Sequence, residues 1–306
     1  MNVQLSNTTG ATSALLNAGK FTNKGLEFDL KLTPLVKLGE AEIDFKINYA
    51  NQDSKITGLI DGVNELGIGN YNYAVVGSPA FVFKTNDYYR DSATGKVIVD
   101  PITGMPSQNP NLTQFGRTLP KHILGLNLSI KWKGFTLGAV AEYRSGNQII
   151  ADQLGNFLDD NGISARSGSY GRRAFVFPNS VYLDNGKYVN NTNIYTQNYG
   201  RLFYNNDINT DVTSNYLADG SFWKLRELTL IYDFPASIFK GKGIKGASIG
   251  FTGRNLFMWL PKSNQWTDPE FTANGNNSYT GNAVGLSTAF NQPPTRFMGA
   301  NVTLNF

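Results

Sequence analysis

Residues 124–143 read LGLNLSIKWKGFTLGAVAEY. Apolar side chains fill every second position of 124–132 and again of 135–143, and Lys133 and Gly134 link the two runs. Because successive side chains of an extended strand point to opposite faces, each run predicts a β-strand with one apolar face. A two-residue link with glycine in second place predicts a tight antiparallel hairpin.

The same alternation recurs along the chain. The apolar runs often end in an aromatic residue such as Tyr49, Trp132 or Tyr143, and the opposite positions carry charged, amide, hydroxyl or glycine residues that suit a wet surface. No helical periodicity of any length is present, so the chain is predicted to be all-β. The further alternating segments are 26–32, 41–49 and 298–306, with weaker examples at 228–234 and 247–252.

The connections between the predicted strands alternate in length. Alternation of long and short connections is typical of outer-membrane barrels, with long loops outside and short turns in the periplasm. The sequence therefore predicts a partial transmembrane antiparallel β-barrel with long extracellular loops. The long connections are 50–117, 144–218 and 260–294, and the short ones are 33–40, 133–134 and 235–245.

A count back from a descending final strand gives seven complete strands and the remnant of an eighth at residues 1–6. The count requires the strand-like segments near 79–90 and 96–99 to form an extracellular hairpin. Residues 1–7 carry neither the basic region nor the apolar core of a signal peptide. We therefore expect either a cytoplasmic chain or a mature or internal piece of a longer protein.

The composition excludes several kinds of chemistry. The chain has no Cys and one His, His122, so disulfides, thiolate metal sites and cysteine-dependent catalysis are excluded. The net charge is +4, but the basic residues are scattered, so no nucleic-acid partner is expected.

Residues 17–27, NAGKFTNKGLE, resemble the N-x-G-x-x-x-N-K-G-x-E segment of SusC/RagA-type TonB-dependent outer-membrane transporters. The resemblance continues in the same order along the rest of the chain. The family's acidic Asn-Gly-Asp-Gly loop is missing, and residues 91–110 stand in its place. The other similar segments are VGSP at 76–79, GRTLP at 116–120, FWKLRELTLIYDFP at 222–235, GRNLF at 253–257, DPE at 268–270 and PTRFMGANVTLNF at 294–306.

The resemblance implies that residues 1–306 are the C-terminal part of such a barrel, the last eight or so of about 22 strands, without the plug domain and TonB box. The whole protein is then a glycan or peptide importer in the outer membrane of a Gram-negative, Bacteroidota-type cell. The implied partners are a SusD-like surface lipoprotein, the TonB complex acting through the missing N-terminal part, and outer-membrane lipids. The resemblance implies no catalytic residue, cofactor or metal.

The C-terminal pattern Gly299-x-x-Val302-x-Leu304-x-Phe306 resembles the signal that the barrel-assembly machinery recognises. A terminal strand with an aromatic end can add to the sheet edge of that machinery by β-augmentation. The alternative is an ordinary last strand without a signal.

Aromatic residues in the predicted loops are candidates for ligand contact. Flat apolar rings set among amides and carboxylates suit a sugar or a peptide, although loops also use such rings to pack on themselves. The candidates are Tyr89, Tyr170, Tyr199, Tyr204, Trp266 and Tyr279.

Two other classes of protein stay open. A secreted or surface-attached β-rich glycan-binding or adhesion module would be a water-soluble monomer. A barrel enzyme would need a nucleophile and a positioned base, and His122 at the start of a strand supports this poorly.

Two further patterns favour structural roles. Residues 241–246 match G-x-G-x-x-G without a helix to follow, which favours a turn. Glu42, Asp44 and Lys46 lie on one strand face, which favours a hydrated lumen wall.

Overall fold

The computed structural model of the chain describes residues 2–4, 8, 10, 13–15, 19–60, 62–170, 173–241, 243–271, 284–287 and 294–306. The strands are β1 Asn2–Gln4, β2 Ser13–Leu15, β3 Gly19–Leu38, β4 Ala41–Leu59, β5 Glu65–Gly67, β6 Asn72–Val75, β7 Val82–Tyr88, β8 Val97–Ile98, β9 Gln108–Arg117, β10 His122–Trp132, β11 Phe135–Ser145, β12 Gln148–Ile150, β13 Ser180–Asp184, β14 Lys187–Asn190, β15 Leu217–Asp219, β16 Phe222–Asp233, β17 Gly246–Trp259 and β18 Phe297–Asn305. The helices are α1 Asp152–Asp160, α2 Ala165–Ser169, α3 Gly200–Tyr204 and α4 Asp207–Thr210, with 3-10 turns at Thr213–Tyr216, Ala236–Phe239 and Pro269–Phe271.

Seven strands form one antiparallel sheet, the main sheet, in the order β18-β17-β16-β11-β10-β4-β3. The hairpin predicted at 124–143 is its centre, and Trp132 pairs with Phe135 at the closed end. Lys133 and Gly134 both have positive φ, +46° and +84°, which is the backbone of a type I′ turn. The all-β antiparallel prediction is confirmed.

The register of the main sheet aligns apolar residues across all seven strands. Ile130 of β10 lies opposite Ile43 of β4 on one side and Leu137 of β11 on the other. Neighbours in such a row lie on the same face and pack on one another. The complete row across the sheet is Val36, Ile43, Ile130, Leu137, Leu230, Phe251 and Ala300.

Aromatic residues border this apolar face at both ends. Tyr143 stacks on Trp223 at 4.8 Å at the end that bears the long connections, and Phe135 meets Tyr232 at 4.4 Å at the other. From Phe135 to Tyr143 a rise of roughly 3.4 Å per residue gives about 27 Å along the strand, or about 20 Å along the membrane normal at the tilt usual in transmembrane barrels. The upper belt comprises Tyr49, Tyr143, Trp223 and Trp259, and the lower belt comprises Trp132, Phe135, Tyr232 and Phe234.

The opposite face, the inner face, is polar, and glycines on it lie beside larger residues of the next strand. A Cβ on Gly125 would come within 2.3 Å of Asn48 Oδ1, and one on Gly250 within 2.4 Å of Asn301 Oδ1. Because glycine has no side chain, the asparagine amide of the neighbouring strand lies flat over it.

The connections alternate in length as predicted, but the first short turn was placed wrongly. β3 continues to Leu38 through a bulge between Leu32 and Val36, and only Gly39 and Glu40 form the turn. Pro34, within the connection predicted at 33–40, is therefore a strand residue, and β3 lies at the edge of the described sheet, where a strand residue can lack an N–H donor.

The predicted hairpin of 79–90 with 96–99 and the predicted eighth strand also differ from the structure. β7 pairs mainly with β9, β8 pairs in parallel with β13, and one bridge, Arg90 with Val97, joins the two predicted segments. Both segments lie outside the main sheet, as the count required. In the described residues β1 pairs with β2 and adds no eighth strand to the main sheet.

The long connections fold around small hydrophobic cores of their own. One core contains Phe83, Ile150 and Leu286, and another contains Met105, Phe175, Phe203 and Tyr204. None of the helices in the described part of the chain is both long enough and apolar enough to cross a membrane.

Leu128 and Ser129 give a matched test of which face of the main sheet meets hydrocarbon. Leu128 lies mid-height in the apolar face, opposite Phe45 and Ala139, whereas Ser129 lies on the inner face opposite Asp44. We expect Leu128→Arg to cost about 2–4 kcal/mol of folding free energy in a bilayer, and Ser129→Arg to cost little. The measurement is the amount of each variant in the outer-membrane fraction, and equal loss for both would contradict the assignment of the faces.

Candidate functional site

A polar groove of about 650 Å³ opens among the long connections. It brings together β6, β7, β9, the start of α1 and the segment before the Thr213–Tyr216 turn, which are far apart in the sequence. Its lining residues are Tyr71, Tyr73, Lys84, Thr85, Asn86, Gln108, Pro110, Leu112, Asp152, Asn156, Thr210, Asp211 and Thr213.

Tyr71 and Asp152 form the first fixed pair of polar groups in the groove. Tyr71 has a φ of +57°, and its hydroxyl donates a 2.8 Å hydrogen bond to Asp152 Oδ2 at the start of α1. Burial, with a further contribution from the Asp152 carboxylate, raises the pKa of Tyr71 to about 12. The phenol therefore stays protonated at neutral pH and holds the carboxylate in place.

Lys84 and Asn86 of β7 provide the other fixed groups. Lys84 Nζ lies 2.5 Å from Glu65 Oε2 and 5.4 Å from the centre of the Tyr73 ring. Asn86 Nδ2 donates to the Asp211 carbonyl oxygen at 2.5 Å, and Asn86 Oδ1 accepts from the Thr213 backbone N–H at 2.9 Å. These bonds tie the segment 210–213 to the floor of the groove.

The groove presents an ammonium, carboxylates, amides, hydroxyls and two phenol rings. Such a set can hydrogen-bond the hydroxyls of a sugar or the backbone of a peptide and can stack on a flat apolar face. In the described ranges no three imidazole or carboxylate groups converge as the ligands of a metal ion would.

The loop aromatics predicted from the sequence lie elsewhere. Tyr170 stacks on Phe175 at 4.1 Å, and Tyr204, 9% exposed, is parallel to the same ring at 6.0 Å. Tyr204 is thus part of a loop core. None of the five candidates within the described residues lines the groove, and Tyr279 lies outside the described residues.

Arg166 connects two of those aromatic candidates. Its guanidinium carbon lies 5.0 Å from the Trp266 ring and 5.4 Å from the Tyr204 ring, and Nε donates to both carboxylate oxygens of fully buried Asp159. Tyr89 and Tyr199 are 45% and 40% exposed. Ligand contact by any of the six candidates stays a prediction.

The groove residues have no local signal in the sequence. The run Asn70-Tyr71-Asn72-Tyr73 carries the right residue types, but nothing local distinguishes it from other loop stretches. The groove exists because β7 and the segment 210–213 meet, and that contact has no local sequence signal.

A network of charges attaches the loop between β17 and β18 to the inner face. Lys224 of β16, 4% exposed, lies 2.6 Å from Asp268 and 2.5 Å from Glu270. Arg226 binds Glu270 and Glu142. Burial alone would raise the pKa of Glu270, but hydrogen bonds from Arg226 and Lys224 outweigh it and lower that pKa to about 2. Glu270 is therefore ionised at neutral pH.

Two further predictions concern His122 and residues 241–246. The Tyr49 hydroxyl oxygen and His122 Nδ1 form a hydrogen bond of 2.8 Å, and the two rings stack at 6.1 Å. His122 therefore lies at the upper end of the apolar face, beside the upper belt. After the Gly-rich stretch β17 begins at Gly246, so a strand follows it and not the helix that a dinucleotide site needs.

The C-terminal residues form the outer edge of the described sheet. Val302 pairs with Ile249 and Leu304 with Ala247 on the apolar face, and Gly299 pairs with Thr252. Phe306 is 75% exposed. Recognition of Gly299, Val302, Leu304 and Phe306 by the assembly machinery stays a prediction.

An antiparallel sheet with one continuous apolar face, two aromatic belts and its long connections at one end has the architecture of an outer-membrane barrel wall. Over 99% of its length the chain is 24% identical to TonB-dependent receptor P26 of Formosa agariphila, of which it covers 31%. No family profile matches the chain.

Solved structures share this fold. The chain aligns with the RagAB peptide transporter at 20% identity with a TM-score of 0.63, covering 99% of this chain and 31% of that one. The RagAB peptide importer in its closed-closed state aligns at 18% identity with a TM-score of 0.62, covering 99% and 32%. The chain thus spans about a third of the length of these relatives. The resemblance to TonB-dependent receptors is confirmed, and the relatives are transporters or receptors and not enzymes.

Lys224→Met tests the attachment of the loop. It leaves buried Asp268 without its cation, and breaking a buried ion pair costs about 3–5 kcal/mol. We expect limited proteolysis to cut residues 260–271 much faster in this variant. Lys262→Met, in the same loop but exposed, is the control, and equal cleavage of the two variants would show that the network does not hold the loop.

Proposed function

We propose that the chain forms part of the wall and the extracellular loops of an outer-membrane TonB-dependent nutrient importer. The observation that supports this most is the apolar face, which crosses all seven strands of the main sheet between two aromatic belts. Within hydrocarbon, backbone polar groups must be paired inside the protein, and an antiparallel ladder pairs them. The polar inner face then faces the lumen.

A water-soluble glycan-binding or adhesion module is the alternative. In a soluble sandwich a second sheet would cover the apolar face, yet Phe251, Leu230 and Val302 are 54%, 42% and 68% exposed in the described structure. A contiguous apolar surface of this extent needs a partner, and a lipid bilayer meets that need.

Each part of the chain has a role in the proposed importer. The loops and the groove contact the nutrient, which a SusD-like surface lipoprotein delivers. The TonB complex acts through a part of the protein outside this chain, and β18 presents the assembly signal. The proposed location is the outer membrane of a Gram-negative, Bacteroidota-type cell.

The nutrient is a glycan or a peptide, and the groove chemistry suits both. Hydroxyls and amides recognise sugar hydroxyls and peptide bonds alike. The similarity to the RagAB structures concerns the fold, so it does not decide between the two ligand classes.

The four tryptophans of the chain test the membrane assignment. Trp132, Trp223 and Trp259 lie in the belts, whereas Trp266 lies in the loop beside Arg166. In vesicles of lipids brominated near the headgroup, we expect single-tryptophan variants that retain a belt residue to lose most of their fluorescence, because bromine quenches on contact. The variant that retains Trp266 should keep its fluorescence. Quenching of none of the four would favour the soluble module.

Groove variants test ligand contact and separate the two ligand classes. We expect Tyr73→Ala combined with Asp152→Asn to weaken binding by about tenfold or more, the equivalent of roughly 1.4 kcal/mol, with unchanged membrane insertion. The measurement is calorimetry with a set of oligosaccharides and a set of oligopeptides. The control is Tyr188→Ala, because Tyr188 is 45% exposed on the β13–β14 hairpin, outside the groove. An equal loss of binding in that variant would show that the groove does not contact the ligand.

A further inference from the structure

Basic residues collect just above the upper belt, along the seam of β3, β4 and β10, and two of them, Lys24 and Lys55, lie on the outward face of the sheet. Lys24 of β3 lies opposite Asp53 of β4, on the same face as the Phe28–Tyr49 pair below. Lys55 lies two residues further up β4, and Lys121 comes immediately before β10. We call Lys24, Lys55, Lys121 and Arg117 the cationic seam.

Asp53 is the acidic residue paired with the seam. Arg117 Nη2 lies 2.5 Å from Asp53 Oδ1, and Lys121 Nζ lies 4.0 Å from the same atom. Among the described residues neither Lys24 nor Lys55 lies within ion-pair distance of a carboxylate, and both are exposed. The four cations and one anion give the seam a net positive charge.

The seam lies close to the headgroup layer of a bilayer, at its outer side. From Tyr49 to Asp53 the strand rises roughly 13 Å, which is about 10 Å along the normal at a barrel tilt. Aromatic belts lie at the interface, and the headgroup layer extends about 5–8 Å beyond the hydrocarbon. The backbone of the seam therefore lies at or slightly above the headgroup layer, and the long lysine side chains reach the lipid phosphates by extending back toward the belt.

The charge is local and not a general property of the upper rim. Four residues beyond the belt, at the height of Lys24 and Asp53, the other strands carry no cation: the residues there are Asn147 beyond Tyr143, Asp219 beyond Trp223 and Ser263 beyond Trp259. Because the cations are gathered at one seam, they suit the binding of a single anionic headgroup better than a general attraction to the whole membrane surface.

We propose that the cationic seam binds the phosphate groups of an anionic lipid in the leaflet on the side of the long connections. The lysine side chains supply charge-assisted hydrogen bonds to the phosphate oxygens, and the acyl chains lie against Leu26 and Phe28 on the apolar face, 64% and 49% exposed. This inference rests on the proposed membrane location of the sheet.

The test uses the protein that carries this sequence, purified in detergent from the outer-membrane fraction, and native mass spectrometry with diphosphorylated lipid A as the probe. We expect lipid A to bind at least about tenfold more tightly than its dephosphorylated form. Lys24→Gln, Lys55→Gln and Lys121→Gln together should abolish that preference. The control exchanges Lys133, Lys240 and Lys245, near the opposite end of the sheet, for Gln and should keep it.

Asp53→Asn gives a second, independent readout because it removes the acid of the seam, and it should tighten lipid A binding. Equal binding of the phosphorylated and dephosphorylated lipids, or an unchanged preference in the triple variant, would overturn the lipid site. Full competition by millimolar inorganic phosphate would also overturn it, in favour of a soluble anion. Absence of the protein from the membrane fraction would instead overturn the proposed function and the lipid site together.

Discussion

The register of the main sheet is the constraint on which the other features depend. Ile130 faces Ile43 and Leu137, and the same row continues to both edges of the sheet. Because side chains alternate between faces, a slip of one residue at any pair of strands would turn an apolar row onto the polar inner face and a polar row onto the apolar face. The two belts and the polar inner face all follow from that alignment, and so does the position of every connection.

The long connections are folded, and charges fix one of them to the wall. Lys224, Asp268 and Glu270 lie between β16 and the loop that follows β17, where removal of a single partner leaves a buried charge. The groove is built by the same kind of contact, since Asn86 bonds to a segment more than a hundred residues away. A rigid wall thus supports a set of loops whose relative positions are determined by polar pairs.

The sequence predicted the parts of the fold that have a local signal. Alternation in 124–143 determined the hairpin, and aromatic ends indicated the belts. The first short connection was predicted at 33–40, but β3 continues through Pro34 to Leu38, because proline is tolerated in an edge strand. For Tyr204, ligand contact stays a prediction, and the structure places its ring in a loop core against Phe175. The groove could not be predicted, because Tyr71 and Thr213 come together only when separate connections fold onto each other.

The glycines of the inner face have a consequence for whatever occupies the space beside it. With Gly125 beneath it, the Asn48 amide lies along the wall, and Gly250 does the same for Asn301. At these two positions the wall is therefore low in relief, because an amide lies flat where a side chain would otherwise stand. Between the charged pairs of the inner face, these places offer amide groups close to the backbone, where a neighbouring surface can approach the sheet most closely.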